Sequence, residues 1–384
     1  DVLESADGNE AASWEKHYRL GVPAQYELQI EEGVWQAMLA DPLCQNGLEH
    51  CGSEYSPATL KADGRTFENV GVRFKGNSSL RDVAGREPGD MGYQRYSFKI
   101  KLDEYVADQN LDGLETLNLN NSLLDPSLMR EVLSYELYRL AGVPCSAAAY
   151  VALSLNGAPY GLYVSVQEPD DKAFLEYWFG DNDGNMYKPD CGDLVYHGDD
   201  ISDYAVTLTT ADGTQNVSGP DNYVKKTNKD EADYSDIINL MKVICETPAD
   251  SFEDAMRQAF DVDRFISFLA ANTLIVALDG YGGGLPQNYY LYNNPSDGRF
   301  VFIPWDLNNS FGTFNCFMLS AEQVVNLNID APYCFETPNA VNAGNPIGPA
   351  DRPLFTRLLE NDSFRRQYFE RISEIGRASC RERV

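Results

Sequence analysis

The pattern of apolar and polar positions divides the chain into an alternating half and a helical half. In VGVRFK, Val70, Val72 and Phe74 alternate with Gly71, Arg73 and Lys75. In SFKIKL, Phe98, Ile100 and Leu102 alternate with Lys99 and Lys101. A period of two predicts strands with one face in a core, which leaves the four cations on the other face. Residues 58–79 read as a hairpin turning at Asp63–Gly64, and 148–168 as a second turning at Asn156–Gly157. Residues 26–42 read as a short strand and then a helix stopped at Asp41–Pro42. Between the hairpins, DPSLMREVLSYELYRLAGVP predicts one long helix. Asp125 caps it, Pro126 takes the first turn, and Gly142 and Pro144 end it. Leu128, Val132, Tyr135 and Leu140 form its apolar stripe, with Glu131 and Glu136 on other faces.

After Pro169 the period becomes helical, first in DDKAFLEYWFG. It continues in DYSDIINLMKVICETP, in DAMRQAFDVDRFISFLAANTLIVAL and in PLFTRLLENDSFRRQYFERISE. Residues 180–235 read as irregular and acidic, and 313–352 as loop with a short helix. DNDGN at 181–185 hints at a calcium loop, but its glycine is misplaced for an EF-hand. The fold class that follows is α+β. A loose segment covers 1–24, a β-rich part with one long helix covers 25–167, and a mainly helical part covers 168–374. Residues 375–384, within EIGRASCRERV, resemble the translation of a sequencing adapter and are set aside.

Within the helical part, Asp279 to Gly312 interrupts the period with a hairpin. A Gly-rich loop follows Asp279, then Asn288, an extended NYYLYN, a turn at 294–298, and an extended RFVFIPW ending at Asp306. A hairpin brings its two ends together, so Asp279, Asn288 and Asp306 converge. Two carboxylates and an amide suit a hard divalent cation. They also suit phosphoryl transfer, with one acid on the nucleophile and the others on metal. Plain turn formation and helix capping are the alternative readings of these residues. A glycosidase carboxylate pair is a further one.

Composition narrows the partners. The 59 acidic and 30 basic residues leave a formal charge of −29, which repels nucleic acid and anionic membrane. No apolar run is long enough to span a bilayer. Three histidines and no CxxC exclude the usual zinc sites. Cys44 and Cys51 bracket a turn-rich loop that a disulfide would close, as would Cys316 and Cys334. Paired loop cysteines fit an oxidising, extracellular setting, and free buried thiols are the alternative.

Five segments together resemble the CotH kinase family, the spore coat protein H-like atypical protein kinases. They are VGVRFKGNSSL, SFKIKLDEY, LNLNNSLLDPSLMREVLSYELYRLAGVP, YGLYVSVQE and the hairpin ending in IPWD. The resemblance runs in order over roughly residues 25 to 374. It implies a two-lobed protein-kinase-like fold with a β-rich N-lobe and a mainly helical C-lobe. It implies transfer of the γ-phosphoryl of ATP, with Mg²⁺ or Mn²⁺, to Ser or Thr of coat, secreted or cell-surface proteins. Asp279 would be the catalytic base, and Asp306 and Asn288 the metal ligands. Arg73, Lys75, Lys99 and Lys101 would meet phosphate, beside backbone and hydroxyl donors of Gly76 to Ser79. Glu131 would pair with Lys99, or failing that Lys101. Adenine would lie under a linker at Gln167–Glu168, with Trp305 either stacked on it or simply buried. No HRD, DFG, P-loop or GxGxxG is present, and Asn308 stands where some relatives carry an acid. GNMYK and YHGDD belong to the resemblance without a physical account. A non-catalytic nucleotide- or metal-binding coat module is the alternative function.

Overall fold

Seven strands carry the alternating half into a closed barrel. The structure is a computed structural model that describes residues 12–46, 54–189, 192–204, 206–209, 215–218, 223–231, 233–316, 319–334, 341–342, 345–346 and 351–381. In chain order the barrel part contains β1 (Ala24–Gln29), α1 (Glu32–Ala40), β2 (Ser56–Ala62), β3 (Arg65–Lys75), α2 (Ser78–Ala84), β4 (Ser97–Lys101) and β5 (Thr116–Asn120). Then come α3 (Arg130–Leu140), β6 (Ala148–Leu155), β7 (Ala158–Gln167) and α4 (Lys172–Phe179). The strand order is β1-β2-β3-β4-β5-β7-β6, and the ring closes through a parallel pairing of β1 with β6. Closure leaves no edge strand to template aggregation.

Both expected hairpin turns use left-handed backbone, with Asp63 at φ 50° and Gly64 at 69°, and Asn156 at 49° and Gly157 at 81°. That is the turn whose twist matches the strands. Val70, Val72, Phe74, Phe98, Ile100, Leu117 and Leu119 are buried inside the barrel. Phe74 stacks on Tyr96 at 4.0 Å and meets the edge of Trp35 at 5.7 Å. Asp171 caps α4 by accepting from Ala173 N, and it also accepts from Glu115 N and Thr116 N, tying β5 to the helix.

The long helix differs from its sequence reading. It starts at Arg130, because Leu128 takes φ 59°, a conformation no helix can contain. Asp125 keeps a capping role from outside, accepting from Ser127 N at 3.1 Å and Arg130 N at 2.8 Å. The buried stripe is Val132, Tyr135 and Tyr138 together with Glu131, whereas Leu140 is exposed. The chain divides into two compact units, one of Asp1–Val132 with Ser146–Gly180 and one of Leu133–Cys145 with Asp181–Val384. The division passes through α3.

The second unit holds β8 (Met186–Pro189), a hairpin of β9 (Val206–Thr209) with β10 (Gln215–Ser218), β11 (Tyr223–Lys225), β12 (Tyr289–Asn294) and β13 (Arg299–Pro304). Its helices are α5 (Ser235–Glu246), α6 (Phe252–Ala259), α7 (Val262–Leu274), α8 (Ala321–Val325), α9 (Pro353–Glu360) and α10 (Asp362–Arg381). The segment expected to be irregular therefore supplies strands, and β11, β8, β12 and β13 form one antiparallel sheet in that order. Two helical runs that read as continuous are each broken. Asp261 accepts from Arg264 N to start α7 afresh, and Asn361 accepts from Ser363 N and Phe364 N to start α10. Among the described residues no helix is long and apolar enough to cross a membrane.

Candidate functional site

The site is built around the end of α7. The helix stops at Leu274, and Val276 takes φ 46°, so an irregular turn rather than the helix itself carries the chain to Asp279. Phe311 N and Gly312 N donate to Ile275 O and Val276 O, which binds this turn to the segment after β13. The glycine loop then closes tightly. Gly283 N donates to Gly280 O at 2.8 Å, and a Cβ on Gly283 would lie 1.9 Å from Leu278 O. A Cβ on Gly282 would lie 2.8 Å from the Phe355 ring. Close backbone approach is the reason for these two glycines. Arg352, fully buried, donates from Nε to Tyr281 O at 3.0 Å and from Nη2 to Gly283 O at 3.3 Å. On the other side, the Cys316–Cys334 disulfide packs with Leu278, and Cys334 N donates to Gly282 O at 3.0 Å.

The hairpin pairs Tyr289 with Pro304, and Trp305 N donates to Asn288 O at 3.0 Å. Asn288 (φ 61°) and Asp306 (φ 54°) both turn left-handed at the hairpin's open end. Asp279, Asn288 and Asp306 line one cavity of about 20 Å³, which also touches Asn309 and Ser310. That is room for a water or a bare cation, not for an organic ligand. Two amides hold the Asp279 carboxylate: Gln287 Nε2 donates to Oδ1 at 3.1 Å and Asn309 Nδ2 to Oδ2 at 2.8 Å. Asn288 Nδ2 donates to Asp279 O at 2.7 Å, which leaves its amide oxygen as the ligand-type atom. Asn308 Oδ1 is buried without a hydrogen-bond partner two residues after Asp306. The donor set is oxygen throughout, with no thiol or imidazole, and fits a hard divalent cation. Gln287 and Asn309 were missed from sequence; their nearness in sequence to Asn288 and Asp306 is the only signal they carried.

In the barrel unit the expected cations separate. Arg73 lies opposite Lys99 across β3 and β4. Lys99 does not pair with Glu131. It pairs with Glu168 at 2.7 Å, and Asn118 Nδ2 donates to the same carboxylate at 2.8 Å. Burial pushes Glu168 up, but the Lys99 charge and these hydrogen bonds override it and hold the carboxyl well below the usual range. Glu131, 1% exposed, accepts from Asn120 Nδ2 through both oxygens at 3.0 Å, and Lys75 Nζ donates to Asn120 Oδ1 at 2.7 Å. Lys75, not Lys99, is thus the strand lysine on the Glu131 side. The strand register explains this. Lys75 lies opposite Ser97 at the barrel end where β5 finishes on Asn120, while Lys99 lies one row inward, opposite Asn118. Arg73 donates to Asn46 Oδ1 and sits over the Tyr55 ring at 5.3 Å. Lys101, the half-exposed alternative partner of Glu131, meets Glu104 at 3.2 Å instead. Gly76 and Asn77 form the turn into the short α2, whose first two residues are Ser78 and Ser79.

Trp305 is buried, edge-on to Tyr290 at 5.6 Å, with Lys188 Nζ 5.7 Å from its ring centre. Among the described residues His17, Asp63 and Asp112 also group closely. There Asp112 already accepts from Arg65 at 2.7 Å and meets Lys16 at 2.9 Å, so the group fastens the N-terminal segment rather than inviting a metal. Cys44 is disulfide-bonded, and Cys51, its expected partner, lies outside the described residues. Cys145 and Cys245 form no disulfide, and their thiols donate to Tyr135 O and Leu194 O at 3.5 Å.

The sequence pattern described as CotH kinase protein matches residues 72–380, most of the chain. The chain belongs to the CotH kinase protein family. Inner spore coat protein H of Bacillus subtilis is 25% identical over 256 residues, which is 67% of this chain and 62% of that protein. The inner spore coat protein H-like protein of Bacillus subtilis is 42% identical over 64 residues, 17% of this chain and 21% of that one. Invasin CotH2 of Rhizopus delemar is 25% identical over 217 residues, 53% of this CotH-family chain and 34% of the invasin. The chain thus spans less than two thirds of the length of these relatives.

Proposed function

We propose that this CotH-family chain is an ATP- and divalent-metal-dependent kinase that phosphorylates Ser or Thr of coat, secreted or cell-surface proteins, on a two-lobed kinase-like fold. The observation that carries the reading is the convergence of Asp279, Asp306 and Asn288 on one cation-sized cavity, with the Asp279 carboxylate oriented by Gln287 and Asn309. Asp279 accepts the proton of the substrate hydroxyl. The carboxylate of Asp306 and the amide oxygen of Asn288 would hold Mg²⁺ or Mn²⁺. Bound metal supplies charge neutralisation at the phosphates. In the barrel unit Lys75, placed through Asn120 and Glu131, is the cation assigned to phosphate, with Arg73, Lys99 and Lys101 as its neighbours on β3 and β4. Trp305, buried beside Asp306, is the ring assigned to adenine. Catalysis rests on positioning and electrostatics, with no covalent intermediate on the protein.

Two of the relatives, a spore coat protein and an invasin, favour a coat or surface location. They equally favour a second reading, a non-catalytic nucleotide- or metal-binding assembly module. Incorporation of labelled γ-phosphate into Ser-rich acceptors, with Mg²⁺ or Mn²⁺, separates the two. The kinase reading expects transfer that is lost in both Asp279→Ala and Asp306→Ala. Metal-dependent ATP binding without transfer would leave the assembly module. No ATP binding would defeat the kinase reading.

A further inference from the structure

We propose that Ser134 and Tyr138 on α3 are positioning residues that fix the width of the Asp279–Asp306 cavity, and so make it select a small divalent cation over Ca²⁺. The inference rests on the metal site of the kinase reading and adds what sets its selectivity. Both residues lie in the part of α3 that belongs to the second unit. They are four positions apart, so they share one face of the helix. Both are fully buried.

On the Asp279 side, Tyr138 OH donates to Asn272 Oδ1 at 2.9 Å. Asn272 lines the cavity and grips Ala277 from both ends. Its Nδ2 donates to Ala277 O at 3.0 Å, and its carbonyl accepts from Ala277 N at 3.1 Å. Asp279 stands two residues further on. The Tyr138 ring stacks on Phe268, another cavity residue, with ring centres 5.6 Å apart. On the Asp306 side, Ser134 Oγ and Ser310 Oγ share a hydrogen bond of 2.6 Å. Ser310 also lines the cavity, and its Oγ donates at 2.8 Å to the carbonyl of Leu307, the residue after Asp306. One turn of one helix thus holds both segments that carry the carboxylates.

The physical consequence is a stiff wall. Moving either segment outward would break a buried hydrogen bond and strand a polar atom, which is costly. The cavity of about 20 Å³ admits a bare cation. Ca²⁺ takes roughly 6–8 oxygens at about 2.3–2.6 Å, whereas Mg²⁺ takes an octahedral set at about 2.0–2.1 Å. A wall that cannot retreat disfavours the larger ion and its larger ligand set. A wall released by one lost hydroxyl accommodates both.

The experiment is a metal titration of the intact chain without nucleotide. Bound Mn²⁺ is followed by electron paramagnetic resonance, Mg²⁺ and Ca²⁺ are added as competitors, and Asp306→Ala supplies the background from the other acids. Wild type should prefer Mg²⁺ to Ca²⁺. Ser134→Ala and Tyr138→Phe, which each remove only a hydroxyl, should lower that preference about tenfold, the effect usual for groups that orient metal ligands. Tyr368→Phe is the control, because its hydroxyl bonds Thr273 Oγ1 and Ile329 O, neither of which lines the cavity. It should lower the urea midpoint and leave the preference unchanged. The same pattern in Ser134→Ala and Tyr138→Phe would make their contacts structural only and overturn the inference, while the kinase reading stands. Should Tyr138→Phe fail to fold, Ser134→Ala decides by the same ratio. Wild type that binds Ca²⁺ as tightly as Mg²⁺ would also overturn it. No Asp306-dependent Mn²⁺ binding would remove the metal site, and both readings with it.

Discussion

Asp279 works through its neighbours, and the loop behind it shows how little slack they leave. Gly283 faces Leu278 O so closely that Ala at this position must push the backbone aside, whereas Gly284 has open space around its Cβ position. Gly283→Ala should therefore lower phosphoryl transfer about 100-fold through a small displacement of Asp279, at a cost of about 1–3 kcal/mol in stability. Gly284→Ala should leave both close to wild type, and equal effects in the two variants would show that close packing is not the cause. The Lys99–Glu168 pair gives a second test. Glu168, lowered from an ordinary 4.5, stabilises the fold fully above that value and loses its effect as pH falls toward the folded pKa. Lys99 is desolvated, but the Glu168 charge outweighs this and raises it above 10.5, so its contribution persists below that value and fades as pH rises through the folded pKa. Lys99→Met strands a buried carboxylate. Urea unfolding at pH 7 should show a loss of about 3–5 kcal/mol, partly recovered near pH 4.5, where Glu168 can protonate. The same loss at both pH values would contradict this account.

The element on which the site depends is the loop from Leu278 to Gly283. It has two buttresses, the buried Arg352 guanidinium on the carbonyls of Tyr281 and Gly283, and the Cys316–Cys334 disulfide on Leu278 and Gly282. The bridge spans a sequence separation of 18, for which the chain-entropy account gives about 3 kcal/mol. Reduction, or Cys316→Ser with Cys334→Ser, should lower the unfolding free energy by about 2–4 kcal/mol and reduce transfer activity more than MgATP affinity. Unchanged kcat with a lowered melting temperature would confine the bridge to stability. Element by element, six of the seven barrel strands and both hairpin turns were legible, because period two and Asp-Gly or Asn-Gly need no distant partner, whereas β5 was not read as a strand. The breaks at Asp261 and Asn361, the late start of α3, and β8 were not. Each depends on one polar cap, one left-handed residue or one strand partner remote in sequence.

Across the whole molecule, the excess of acid sets a condition on stability. A formal charge of −29 and a pI near 4.3 impose self-repulsion that salt screens. The melting temperature at pH 7 should rise between 20 mM and 500 mM NaCl, and rise less at pH 5, where part of the carboxylate charge is being titrated. A fall with salt would mean that favourable ion pairs, such as those around Asp112, outweigh the net repulsion.

The sequence by itself determined the α+β class, the alternating barrel strands, the hairpin between Asn288 and Asp306, and the three residues that meet at the cavity. These follow from local periodicity and turn chemistry, which short stretches of chain carry alone. Tertiary structure decided the partners. Glu131 faces Asn120 and Lys75 because the register of β3, β4 and β5 puts that row at the barrel end, and no spacing along the chain encodes a register between strands. Likewise Asn309 and Arg352 acquire their partners only when folding brings them to a carboxylate and to carbonyls that lie 30 and 71 residues away.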